Sequence, residues 1–231
     1  MERPVRSLLH STSVALVLAC AAALATEALS RVELPPTRAQ RILTCFSQMQ
    51  LDAVLGQQLD LIGRAQSVEL MYTLKTASYT VRGPLHLGAL LGGGSPRVLT
   101  ALDRFSIPAG VAFQLRDDLL GVFGDPAITG KPCGSDLCRG KRTVLINLAL
   151  RRARGRDHRL LKSVLGNPRA GQTRLLAAIE VLDRCGARRA VEQRIEELVG
   201  HARLALRAGR IRSEPRALLE GAAVALTDRR S

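Results

Sequence analysis

The sequence predicts an all-α protein, and three observations carry that reading. The 231-residue chain is 46% hydrophobic, only 3% aromatic and without Trp; it is rich in Leu, Ala and Arg, side chains that lose little rotamer freedom in a helix. No segment alternates apolar and polar residues with the period of two that a half-buried strand shows. Apolar residues recur instead at three-to-four spacing, between breaks made of Gly and Pro. A chain of this length supports one substantial core, so residues 1–231 are expected to form a single helical bundle domain.

The elements follow in order. Dense apolar residues without Gly or Pro predict a helix from Ser11 to Arg31. It contains the run Val14 to Ala25, preceded by Arg3 and Arg6. That run resembles a signal peptide but is too short to span a bilayer, and a buried, Ala-rich helix is the preferred reading. Glu33 to Pro36 is the break, with Thr37 as a cap for the next helix, which runs to about Gly63. Ser67 to Thr80 reads as a further helix, ended by Gly83-Pro84 and followed by the segment Leu85 to Leu91. Gly92 to Pro96 is a turn. Arg97 to Phe123 is a long helix, disturbed at Pro108 and Gly110, with a Gly124-Asp125-Pro126 stop. A glycine-rich polar loop reaches Arg142, and Thr143 to Ala153 opens the next helix. Gly171 to Leu182, Ala187 to Arg207 and Glu214 to Thr227 complete the set.

The formal charge of +14 invites a nucleic-acid reading. The arginines are scattered through amphipathic stretches and concentrated after Arg151, with no aromatic residues interleaved for base stacking, so nucleic acid is excluded as the partner. A solvated basic face, with at most peripheral membrane contact, accounts for the charge. Five cysteines without CxxC or metal-ligand spacing suggest reduced thiols and a cytoplasmic location.

Chemistry concentrates between residues 113 and 143. Asp117 and Asp118 stand side by side in an apolar helical run, about 100° apart around the axis. A glycine-broken loop with Lys131 and Lys141 follows. Carboxylates hold a hard divalent cation and lysines hold anionic oxygens, which together suit a magnesium-bound phosphate or diphosphate ester. The plainer alternative for the Asp pair is a buried salt bridge with Arg116.

The wider pattern resembles the trans-prenyl diphosphate synthases, or polyprenyl synthetases, which include farnesyl and geranylgeranyl diphosphate synthases. It consists of Gly56-Gln57-Gln58-Leu59-Asp60, Lys75-Thr76-Ala77 with Tyr79, Phe113-Gln114 before the Asp pair, Gly124-Asp125-Pro126, Gly130-Lys131, Gly134, Asp136 and Gly140-Lys141. The resemblance implies an isoprenoid-synthase helical bundle in which Mg²⁺ ionises an allylic diphosphate and isopentenyl diphosphate captures the carbocation. By motif position, Asp117 and Asp118 would bind magnesium, with Asp60 a further metal-linked carboxylate. Lys75, Lys131 and Lys141 would hold the allylic diphosphate. Thr76, Gln114, Tyr79 and Gln57 would line the reacting centre.

The chain also departs from the pattern. No Asp occurs before Asp52, and the acids before it are Glu2, Glu27 and Glu33, so the family's first Asp-rich motif has no counterpart. Gly121 stands where many members have a third Asp. The expectation is therefore an N-terminally truncated synthase with impaired condensation activity, forming a homodimer or a heterodimer with a complete synthase. The alternatives are a non-catalytic regulatory subunit of a heteromeric synthase or a degenerate, truncated reading frame.

Overall fold

The computed structural model describes residues 20–62, 68–130, 132–209 and 211–227. All regular structure among them is helical, as the composition predicts. Contacts divide the chain into two units, Met1–Thr44 and Cys45–Ser231.

In the first unit, residues 20–30 form helix α1, and α2 begins at Pro36. No residue from 20 to 30 is buried, which corrects the expected burial for this part of the Ala-rich run; alanine favours the helix by backbone propensity alone. Residues 14–19 of that run lie outside the described residues. The start of α2 also differs from the expected Thr37 cap. Pro36 occupies the first helical position, where its missing N–H costs nothing, and the Pro35 carbonyl accepts from the amides of Arg38 and Ala39 at 2.8 and 3.0 Å.

In the second unit, α2 continues to Ile62. Helix α3 (Val68–Tyr72) passes directly into a ten-residue π-helix, Thr73–Arg82, and then into α4 (Gly83–Leu91). The expected break at Gly83-Pro84 is absent: Gly83 still donates its amide to the Ser78 carbonyl in the π pattern, and Pro84 sits at the junction where α4 begins. Helix α5 (Pro96–Phe123) runs unbroken through Pro108 and Gly110. The polar loop after it holds two short turns of helix, α6 (Pro126–Thr129) and α7 (Ser135–Cys138). Then come α8 (Val144–Arg152), α9 (Gly155–Val164), α10 (Gln172–Arg184), α11 (Ala187–Ala208) and α12 (Ser213–Thr227).

Helix α5 is the centre of this unit. Its buried Val111, Ala112, Leu115, Leu119 and Val122 join the main core with Leu145 and Ile146 of α8 and Val191, Ile195 and Leu198 of α11. A smaller apolar cluster around Phe105, Ala109, Ala202 and Leu206 closes its other end. All five cysteines are free thiols. Among the described residues, no helix is long and apolar enough to cross a membrane.

Candidate functional site

Two glycines place the site. A Cβ on Gly56 would lie 2.2 Å from the Lys75 backbone nitrogen, so only glycine lets α2 approach the π-helix this closely. One turn beyond Gly56 on the same face, Asp60 forms an ion pair and hydrogen bond with the Lys75 ammonium. Both groups are about three-quarters buried. On α5, a Cβ at Gly110 would lie 2.4 Å from that of Ala77, so a second close approach fixes α5 against the π-helix.

From Gly110 the same face of α5 continues at four-residue steps through Gln114 to Asp118. Thr76 donates its hydroxyl to Gln114 Oε1 at 2.7 Å, and Gln114 Nε2 donates to Asp118 Oδ1 at 3.1 Å. Lys141 Nζ reaches the same Asp118 oxygen at 2.9 Å and Asp136 Oδ2 at 3.3 Å. The buried Tyr72 hydroxyl donates to Asp118 Oδ2 and accepts from the Val144 amide at 3.2 Å. Asp118 is fully buried, with donors on both oxygens.

The electrostatics follow from this packing. Burial pushes the Asp118 carboxyl up, while Lys141, Tyr72 and Gln114 all favour its anion. Burial also works against the Lys141 ammonium, but Asp118 and then Asp136 outweigh it, and the amine titrates above the ordinary lysine range. Burial, followed by the Asp118 charge, holds the Tyr72 hydroxyl above the phenol range, so it remains a donor.

Thr76, Gln114, Asp118 and Lys141 are thus joined in one network, and Lys75 and Asp60 are joined beside it. The Asp118 salt bridge forms with Lys141 rather than with Arg116. Asp117, one residue from Asp118 and about 100° around the helix, is half-buried and outside that network. Gln57 is exposed on α2, and Tyr79 is 51% exposed. A π turn closes one residue later than an α turn, so Thr76 and Tyr79, three apart, do not share a face as they would in an α-helix. Lys131 lies outside the described residues. Asp125 caps α6, accepting from the Ala127 amide at 2.8 Å.

Sequence reading missed Tyr72 as a site residue and the position of Asp136. Tyr72 is 46 residues from its partner Asp118, and no motif connects them. Asp136 lies against α5 at Gly121, where an added Cβ would meet its Oδ2 at 2.4 Å. The space beside Gly121 on α5 is therefore filled by the Asp136 carboxylate of α7.

The described residues contain no group of three or more His, Cys, Asp or Glu side chains able to hold a metal ion. Asp118 is sealed by its donors and Asp60 is engaged by Lys75, so these carboxylates do not form a magnesium cage as they stand. What the site offers is charge pairing, with each lysine ammonium held against a carboxylate.

Residues 9–182 match the family model for polyprenyl synthetase. The chain is 39% identical over 138 residues to a short chain isoprenyl diphosphate synthase of Methanothermobacter thermautotrophicus, covering 59% of this chain and 41% of the relative. It is 31% identical over 172 residues to a geranylfarnesyl diphosphate synthase of Aeropyrum pernix, covering 72% and 52%. The chain thus spans about half the length of the curated relatives it matches. Among solved structures, a putative geranylgeranyl pyrophosphate synthase from Corynebacterium glutamicum superposes with a TM-score of 0.86 at 37% identity, covering 96% of this chain and 70% of the other. A geranylgeranyl pyrophosphate synthase from the same organism, complexed with isoprenyl diphosphate and magnesium, gives 0.79 at 40% identity, covering 85% and 57%. The family match, the helical fold and the paired lysines converge: this chain belongs to the polyprenyl synthetase family.

Proposed function

We propose that this chain is a geranylgeranyl- or farnesyl-type diphosphate synthase-like protein of isoprenoid biosynthesis. Its residues 1–231 are taken as one isoprenoid-synthase domain in the cytoplasm, which binds an allylic diphosphate at Lys75 and Lys141. The observation that carries this reading is the matched pair of ion pairs, Lys75 with Asp60 and Lys141 with Asp118, in a chain of this family. An arriving diphosphate offers each ammonium a second set of anionic oxygens, with Lys131 a third candidate on the loop.

Ionisation of an allylic diphosphate builds negative charge on the leaving group, and pre-placed ammonium groups stabilise it. Thr76 and Gln114, fixed by their mutual hydrogen bond and by Asp118, place hydroxyl and amide dipoles beside that centre. Asp118 acts through Lys141, holding the amine in place. Asp117 is the carboxylate of the pair left outside that network, and one carboxylate does not assemble a multinuclear metal site. We therefore expect weak or no condensation with isopentenyl diphosphate by this chain alone.

A second reading is a non-catalytic subunit that pairs with a complete synthase and adjusts product length. It is favoured by the exposed apolar side chains of α2, among them Val54, Leu55 and Leu61. Co-purification with a complete synthase and a shifted product profile on mixing would support it. The diphosphate reading is tested by the melting temperature with and without farnesyl diphosphate. Wild type should be stabilised by the ligand, Lys75→Ala and Lys141→Ala should lose most of that shift, and an unchanged wild-type melting temperature would reject the reading.

A further inference from the structure

The charge of this protein is unevenly placed. Residues 151–189 contain eleven Lys or Arg against three Asp or Glu, and no Phe, Tyr or Trp. The structure ties together the helices that carry them. Arg152 Nη1 donates to the Gly186 carbonyl at 2.5 Å, tying the end of α8 to the turn between α10 and α11. Arg184 Nη2 pairs with Asp157 at 2.9 Å, and Arg174 Nη2 donates to Ser163 Oγ at 2.8 Å. These two contacts join opposite ends of α9 and α10, which therefore lie antiparallel and side by side.

Helix α9 is two-sided. Leu161 and Val164 are buried against the core. At 100° per residue, Arg156, Arg159 and Lys162 fall within an arc of about 120° on the opposite side, and all three are exposed. Among the described residues none of the three has a carboxylate within ion-pair distance, and Asp157, the acid on the same helix, is engaged by Arg184. The three cations span about 9 Å along the axis. That is close to the Debye length of about 8 Å at physiological salt, so a charged surface meets them as a group.

From this arrangement we infer that the α8–α10 face docks on an anionic lipid bilayer surface. Unpaired guanidinium and ammonium groups on an exposed helix face match the phosphate layer of acidic lipids. A protein partner would ask for apolar or aromatic anchors, and Leu176 is the only large exposed apolar side chain among the described residues of 151–189. Single-stranded nucleic acid would ask for stacking rings, which this segment lacks. The inference is independent of the diphosphate site, because the face uses neither Lys75 nor Lys141.

The test is co-sedimentation of the full chain with vesicles of phosphatidylcholine and phosphatidylglycerol, about two to one, against phosphatidylcholine alone. Binding should appear only with the mixed vesicles and weaken as salt rises. Each basic residue near such a surface contributes about fivefold, so Arg156→Gln/Arg159→Gln/Lys162→Gln should lower partitioning about a hundredfold. The control Arg97→Gln/Arg104→Gln/Arg203→Gln removes the same charge from exposed positions on α5 and α11 and should lower it less than about tenfold. Circular dichroism and the melting curve confirm that each variant is folded. Equal losses in the two triple variants, or equal binding to both kinds of vesicle, would overturn the inference. Tighter binding to duplex DNA than to mixed vesicles at physiological salt would also overturn it, and assign the face to nucleic acid. Lys75→Ala/Lys141→Ala should bind the mixed vesicles as wild type does, and loss of vesicle binding in that variant would reject the independence of the two sites.

Discussion

Helices α5 and α2 have nearly the same length and opposite situations. Buried side chains line α5 from Ala101 to Val122, and its one fully buried charge, Asp118, is met by three side-chain donors. On α2, Leu51, Val54, Leu55, Leu61 and Ile62 are all at least half exposed. At 100° per residue they fall within an arc of about 120°, while Asp52 and Gly56 are buried on another side. One helix has its chemistry completed within the chain. The other presents an apolar stripe interrupted by Gln58, the kind of surface that marks an interaction site or poor solubility.

The comparison can be broken most forcefully at Asp118. Asp118→Ala leaves Lys141 and the Tyr72 hydroxyl without their shared partner, and removing one member of a buried pair costs about 3 kcal/mol. A fall in the urea midpoint at constant slope would show it. Gly110→Ala drives a methyl group into Ala77 across the α5 contact and should cost about 2 kcal/mol by overpacking, read from the same curves. Tyr72→Phe removes one buried hydroxyl between Asp118 and the Val144 amide, at about 1 kcal/mol. On α2 the expectation reverses. Leu55→Gln with Leu61→Gln should change stability by less than about 0.5 kcal/mol, yet reduce binding of a hydrophobic dye and raise solubility. If that pair destabilised the protein as much as Asp118→Ala, the contrast between the two helices would fail.

Much of α5 could be read from the sequence. Its helical period and the four-residue steps from Gly110 through Gln114 to Asp118 place three site positions on one face without a structure. The same geometry sets the neighbours Asp117 and Asp118 about 100° apart around the axis, and here Asp118 enters the core while Asp117 remains outside the network. The partners of that face were less legible. Tyr72 is distant in sequence, and Tyr79 is displaced from Thr76 by a π-helix that no local composition announces. Lys75 and Asp60 were expected to serve a phosphate and a metal, yet their ion pair depends on a glycine, Gly56, whose closeness to the Lys75 backbone only packing reveals. Helix α9, the core of the basic face, was not singled out because arginine dominates its apolar pattern.

Among the described residues, Lys75 and Lys141 are each held against a carboxylate, and no group of three or more His, Cys, Asp or Glu side chains could hold a metal ion. The most direct measurement is turnover of farnesyl diphosphate with isopentenyl diphosphate and Mg²⁺ by the purified chain, beside a complete synthase of the same family. The account predicts turnover at least about a thousandfold slower than the complete enzyme, a barrier difference of about 4 kcal/mol. Turnover by this chain alone at the rate of the complete enzyme would contradict it.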